Sequence, residues 1–234
     1  MALMIELPVL GSSQTLPIAP GKIICVGLNY RDHVAESAVF SRKELEIPSE
    51  PVLFAKTPNV LIGPGETIRI PSFVKKLGFP DPRTDLEAEL AVIIGSGGKD
   101  IPEEQALGHV LGYTCFNDVS QRDIQKSDAS GWFRGKSLDT FGPIGPMVVP
   151  ADLIPNPQKL RVQSRVNGDP AQDGNTADMI FPVKRLIAYI SAMFTLEAGD
   201  IIATGTPAGV ARISPGDLVE IEIEGIGVLS NPVA

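Results

Sequence analysis

Glycine and proline cut this chain into short apolar runs along its whole length. The 23 glycines and 21 prolines are spread through 234 residues and form no low-complexity linker. Most runs between them are too short for a full helix but long enough for a strand. The predicted strands are Lys22–Gly27, Val52–Lys56, Thr67–Ile70, Leu86–Ile94, Val110–Asn117, Gly145–Val149, Leu160–Val166, Ile201–Thr204 and Leu218–Ile223. Many short strands with few helices imply an α+β, β-rich domain. No internal repeat of solenoid or propeller period is present.

Three helices are expected. Asp100 before Pro102, Glu103 and Glu104 reads as a capped start, with a helix running to about Leu107. Val183, Leu186, Ile187, Ile190, Met193 and Phe194 fall at helical spacing and predict an amphipathic helix over Pro182 to Phe194. A shorter helix is expected from Tyr30 to about Ser37. The polar stretch from Ser37 to Pro51 has no period and reads either as a lid or as a plain surface loop.

The formal net charge of -8, with no basic cluster, argues against nucleic acid or an anionic membrane as partner. No apolar stretch approaches the length of a spanning helix. The first residues lack the basic region of a secretory signal, so the expected compartment is cytoplasmic. Cys25 and Cys115 lie in apolar runs and are expected as buried free thiols.

Chemistry concentrates in a few places. Glu87 and Glu89 stand two apart in an apolar run. A strand's period of two puts both carboxylates on one face, with Cα atoms roughly 6.5 to 7 Å apart. Two acids at that spacing repel each other and lose hydration if buried, and a cation between them relieves both. Mg²⁺ and Mn²⁺ both accept carboxylate oxygens. Asp118, at the end of another apolar run, is the best third ligand. The pattern alone fits a strand edge with two solvated acids equally well.

His33 and Glu36 are three apart in a predicted helix, so Glu36 can orient the imidazole as a general base. A surface helix pair gives the same spacing. His109 reads as structural. Lys56 ends an apolar strand. Lys136 follows Trp132, Phe133 and Gly135, where an ammonium can meet an anionic group or a developing enolate. Arg122 and Gln125 follow Asp118 at helical spacing, and an arginine there can clamp a carboxylate. Each of these residues, alone, also reads as ordinary surface charge. Thr204 to Gly209 offers backbone N–H groups and hydroxyls but lacks the lysine of a phosphate loop and the spacing of a dinucleotide site.

Together, several segments resemble the fumarylacetoacetate hydrolase family. They are Val26–Tyr30 through Glu36, Pro51–Lys56, Leu86–Gly95, Gly112–Asp123, Gly135–Pro143 and Leu196–Val210. They come in the family's order, and the last two are the most specific. The resemblance implies a mixed β-sandwich roll, usually a homodimer, with a short segment over 1–21 and a single catalytic domain over 22–234. It implies Mg²⁺ or Mn²⁺ on Glu87, Glu89 and Asp118. It places His33 and Glu36 on a lid and makes Lys136 a substrate or enolate contact. Lys56, Arg122, Gln125 and Thr206 then surround a bound 2-oxo acid.

The activity this implies is metal-dependent chemistry on 2-oxo or 2,4-dioxo acids, foremost C–C hydrolysis of an acylpyruvate through an enolate. Oxaloacetate-type decarboxylation and 2-hydroxyhepta-2,4-diene-1,7-dioate isomerisation use the same metal and enolate and stay open. So do a non-catalytic 2-oxo acid binding protein and a metal-stabilised structural subunit. Two features depart from the family pattern. Many members carry a separate N-terminal domain, whereas here the resemblance starts near residue 22. The approach from Pro71 to Thr84 is longer than usual and is expected to form a surface hairpin or dimer contact.

Overall fold

The computed structural model describes residues 5–41, 46–129 and 131–234. The described strands are β1 (Ile5–Pro8), β2 (Thr15–Ile18), β3 (Ile23–Gly27), β4 (Val52–Lys56), β5 (Leu61–Ile62), β6 (Thr84–Asp85), β7 (Ala88–Ile94) and β8 (Val110–Asn117). They continue with β9 (Ser120–Gln121), β10 (Gly142–Pro150), β11 (Arg161–Val166), β12 (Asp169–Asn175), β13 (Ile201–Ala203), β14 (Arg212–Ile213), β15 (Leu218–Ile223) and β16 (Gly227–Pro232). The α-helices are α1 (Arg31–Ser41), α2 (Arg122–Ser127), α3 (Phe133–Lys136) and α4 (Val183–Met193).

The β-strands form a seven-stranded sheet in the order β4-β3-β13-β7-β8-β10-β5 and a four-stranded sheet in the order β12-β11-β15-β16. A small sheet β14-β6-β9 and the hairpin β1-β2 complete the set. The large sheet is mixed: β13 runs parallel to β3 and β10 to β5, and the other pairs are antiparallel. This is a β-rich α+β roll.

Strand β7 lies in the middle and is buried from end to end. A strand covered on both faces needs apolar residues at every position, which explains its near-continuous apolar run. Leu90, Val92 and Ile94 face the main core, which also contains Val162, Ile221 and Leu229 from the four-stranded sheet. Ala91 and Ile93 face a second cluster with Phe116, Ile144 and Ala203. Glu87 and Glu89 share the parity of Ala91 and Ile93, so the alternation that builds the core sends both acids to one face.

Helix α4 packs Val183, Leu186, Ile187 and Ile190 into the main core, as its spacing predicts, but Met193 and Phe194 at the same spacing are exposed at its end. The helix expected from Asp100 to Leu107 is absent. Asp100 takes a left-handed φ of 54°, and only a 3₁₀ turn over Ala106–His109 forms. The backbone N–H groups of Asp100 and Ile101 instead donate to Ser191 O and Oγ on α4. Thr67 to Ile70 is also no strand, because Ile68 makes one isolated bridge with Val233. Ser72–Leu77 is a 3₁₀ turn ended by left-handed Gly78, so of the two expectations for this stretch, a surface hairpin or a dimer contact, the hairpin does not form there. Part of the Ser37 to Pro51 stretch, residues 42–45, lies outside the described residues. No helix among the described residues is long and apolar enough to cross a membrane.

Candidate metal centre and active site

Strands β7 and β8 are antiparallel neighbours, with Ala88 opposite Asn117 and Glu89 opposite Phe116. The exit of β8 therefore lies beside the start of β7. Asp118 N–H donates to Glu87 O at 2.9 Å, and Glu87 N–H donates to Asn117 Oδ1 at 2.9 Å. That register brings one carboxylate oxygen each from Glu87, Glu89 and Asp118 within 4.8 Å of one another, all three buried.

Cations surround two of the three acids. Lys136 Nζ donates to Glu87 Oε2 and to Asp118 Oδ2, each at 2.6 Å. Arg122 Nη2 donates to Glu87 Oε1 at 2.5 Å. Lys56 Nζ pairs with the other Asp118 oxygen and donates to Val119 O at 3.1 Å. Glu89 accepts one backbone hydrogen bond, from Gly205 N–H at 2.9 Å. Burial, then the charges of Asp118 and Glu87, push its carboxyl well above the usual range. Burial acts in the same direction on Glu87, but the Lys136 and Arg122 charges outweigh it and hold Glu87 below the usual range. Burial also opposes the charge on Lys136, and Asp118 and Glu87 overcome that and raise its pKa. For Lys56 burial prevails over Asp118, and its pKa is lowered.

An oxygen-only donor set with one under-neutralised buried carboxylate fits a small hard divalent cation. Glu87, Glu89 and Asp118 would hold it.

These acids form the inner end of a cavity of about 320 Å³, at the small end of the range for ligand sites. His33, Arg122, Gln125, Lys136 and Thr206 also line it. His33 Nδ1 lies 3.1 Å from Glu36 Oε2. A carboxylate only accepts, so Nδ1 carries the proton and Nε2 of the neutral ring is the basic nitrogen. The other Glu36 oxygen accepts from Gly209 N–H at 3.1 Å. Burial would raise the Glu36 pKa, but these hydrogen bonds lower it.

Three predicted residues have other immediate partners. Lys56 lies behind Asp118, outside the cavity lining. The Thr206 hydroxyl donates to Ala88 O at 2.8 Å and accepts from Gln172 Nε2 at 2.7 Å. Arg122 also gives Nε to Asp85 at 2.8 Å and Nη1 to Gln125 at 3.0 Å. Asp118 lies in the turn after β8, ahead of α2, so it shares a site with Arg122 and Gln125 without sharing their helix.

Sequence reasoning missed Arg83, Asp85, Phe54 and Lys126, all of which line the cavity. Asp85 holds the same parity as Glu87 and Glu89, a signal that was available. Trp132, expected with Phe133 to close over the pocket, lines the cavity, whereas Phe133 is not among its lining residues. The Trp132 ring meets Phe54 edge-on at 5.3 Å. Gly27 makes room for it, since a Cβ there would fall 2.3 Å from Trp132 Cζ3. Gly205 has a φ of 96°, which lets its N–H face Glu89 while its Cα passes Asn29 closely. Asn29, wholly buried, holds that loop by donating to Thr204 O at 2.7 Å and to Phe181 O at 3.1 Å.

Comparison with known proteins agrees with this architecture. The chain is 44% identical over 222 residues to oxaloacetate tautomerase fahd2, mitochondrial, of Xenopus laevis, covering 92% of this chain and 66% of that protein. The fumarylpyruvate hydrolase of Pseudomonas aeruginosa, solved with Mn²⁺ and pyruvate, superposes with a TM-score of 0.85 at 32% identity, covering 99% of this chain and 96% of that one. The 2-hydroxyhepta-2,4-diene-1,7-dioate isomerase of Mycobacterium marinum gives 0.80 at 39% identity, covering 95% and 81%. The family model for the fumarylacetoacetate (FAA) hydrolase C-terminal domain matches residues 22–234, and the chain belongs to that family.

Proposed function

We propose that this protein is a divalent-metal-dependent enzyme that forms and reprotonates the enolate of a 2-oxo acid. The preferred reaction is C–C hydrolysis of an acylpyruvate. One observation carries it: a histidine oriented by a carboxylate opens onto the same cavity as three clustered acids. Bound at Glu87, Glu89 and Asp118, Mg²⁺ or Mn²⁺ supplies a Lewis acid for the 2-oxo group and its neighbouring carboxylate.

The remaining steps belong to the chain. His33 Nε2 takes a proton from water, and Glu36 stabilises the imidazolium that results. The hydroxide adds to the distal carbonyl. The bond between that carbon and C3 breaks, and its electron pair moves toward the 2-oxo group as the enolate of pyruvate. Lys136, held cationic between Glu87 and Asp118, faces the negative charge that develops there. The enolate then takes up at C3 the proton that His33 accepted from water, which returns the imidazole to its neutral form. Arg122 and Gln125 border the 2-oxo acid, and Thr206 and Lys56 brace Ala88 and Asp118 from behind.

Tautomerisation of an oxaloacetate-like acid is the second reading, favoured by the 44% identity to an oxaloacetate tautomerase. It needs the same base to move a proton between C3 and the enol oxygen, without water attack.

The test follows pyruvate release from acetylpyruvate and fumarylpyruvate with Mg²⁺ and then with excess chelator, beside enol-to-keto conversion of oxaloacetate. Chelator-sensitive pyruvate release from an acylpyruvate, lost in His33→Ala, supports hydrolysis. Enol-to-keto conversion alone supports tautomerisation, and pyruvate from oxaloacetate alone supports decarboxylation. A homodimer belongs to the same proposal, supported by exposed Phe73, Leu77 and Phe133, and sedimentation tests it.

A further inference from the structure

We propose that Gln172, on the edge strand β12, is a positioning residue that sets the stance of both the candidate metal ligand Glu89 and the His33–Glu36 pair. This rests on the reading of the three acids as a metal site and of His33 as the base.

Strand β12 buries Gln172 and leaves its other positions exposed or half-buried. Burying a glutamine is costly unless its amide is satisfied. Here both ends of the amide are fully used. Oε1 accepts from Ala88 N–H at 2.9 Å and from Ser164 Oγ at 3.0 Å. Nε2 donates to Thr206 Oγ1 and to Pro207 O, each at 2.7 Å. Ala88 N–H can only donate and Pro207 O can only accept, so the amide has one orientation. Ser164 stands opposite Gln172 on β11, and its hydroxyl also accepts from Gln172 N–H at 3.1 Å.

The partners of that amide are the two segments that build the site. Ala88 stands between Glu87 and Glu89. The Thr206 hydroxyl closes a ring by donating to Ala88 O at 2.8 Å. On either side of Thr206 and Pro207, a glycine N–H faces a functional carboxylate. Gly205 donates to Glu89 at 2.9 Å, and Gly209 donates at 3.1 Å to Glu36, whose other oxygen holds His33. The loop also lies flush on β12. A Cβ on Gly209 would fall 2.4 Å from Ala171 O, and one on Gly174 would fall 2.5 Å from Pro207 Cβ.

Gln172 is not among the cavity's lining residues, so it acts through the loop alone. Cutting this tie frees two N–H groups at once, one aimed at Glu89 and one at Glu36. Metal affinity and proton transfer should therefore weaken together, which a loss of stability by itself does not produce.

Calorimetric Mn²⁺ titration and steady-state kinetics test this on Gln172→Met, which keeps the volume and removes the amide. Mn²⁺ affinity is expected to fall about tenfold. At saturating Mn²⁺, kcat for the reaction the wild type catalyses should also fall about tenfold, while KM stays close to its wild-type value. Asn231→Leu is the control. Asn231 is similarly buried on β16, at the other edge of the same sheet, and donates to Gly63 O and Glu66 O. That variant should melt lower, as Gln172→Met does, with Mn²⁺ affinity and kcat unchanged. Gln172→Ala guards against a misfolded methionine variant, because water can enter and satisfy the freed groups, and the same losses are expected. A folded Gln172 variant that keeps the wild-type Mn²⁺ affinity or the wild-type kcat, or equal losses in Asn231→Leu, would overturn the positioning role alone. No Mn²⁺ binding or no turnover by the wild type would overturn the reading beneath it.

Discussion

Replacing Glu89 by glutamine is expected to stabilise the metal-free protein and abolish its response to metal. Glutamine keeps the shape and still accepts from Gly205 N–H. At a pH above the raised Glu89 pKa, it removes a charge whose oxygen lies within 4.8 Å of oxygens on Glu87 and Asp118. At an effective dielectric constant of about 20, two unit charges that far apart repel by about 3.5 kcal/mol. Lys136, 2.6 Å from both neighbours, offsets much of this. A net relief of about 1 to 2 kcal/mol remains. For a chain of this size that corresponds to a Tm increase of roughly 3 to 6 °C. The wild type should gain about 2.7 kcal/mol from Mg²⁺ at about a hundred times its Kd. Scanning calorimetry in chelator and in Mg²⁺ reads both effects. The variant should melt above the wild type in chelator and show no shift with Mg²⁺. A variant that melts several degrees lower in chelator would refute the repulsion argument. A Mg²⁺ shift equal to that of the wild type would refute Glu89 as a ligand.

Three further outcomes are expected. The raised Glu89 pKa means that the metal-free folded protein holds a proton the unfolded chain has released. Its stability therefore falls as pH rises from the ordinary carboxylate range through the raised value, and the Mg²⁺-induced Tm shift should grow over that window; a shift independent of pH would contradict this. Lys136→Met leaves Glu87 and Asp118 without their shared cation and should cost about 3 to 5 kcal/mol by denaturant unfolding in chelator, where a loss below about 1 kcal/mol would count against the pairing. Gly27→Ala pushes on the far end of the Trp132 side chain, so the emission of this sole tryptophan should change and KM rise while Tm moves little; unchanged emission would mean that the ring does not pack there.

Much of the site was legible because it rides on strand periodicity. Glu87 and Glu89 could be placed on one face from their spacing, and the antiparallel pairing of β7 with β8 adds Asp118. The amphipathic pattern of α4 was strong enough to survive tertiary packing. The capped start at Asp100 was not, because its signals are local and the backbone donors there found Ser191 on α4. Strands β12 and β16 carry weak apolar alternation and exist through their partners β11 and β15.

Side-chain partners were beyond sequence reasoning for a different reason. Lys56, Arg122 and Lys136 are all plausible anion contacts as isolated residues. Only the folded geometry shows that Lys56 backs Asp118, that Arg122 joins Asp85 to Glu87, and that Lys136 bridges Glu87 and Asp118. By itself the sequence determined the strand-rich class and the shared face of Glu87 and Glu89, because both follow from periodicity and local steric rules. The tertiary structure decided which charges neutralise which acid and that Glu89 is left with a single backbone donor. Those depend on distances between segments far apart in the chain, which no local pattern encodes.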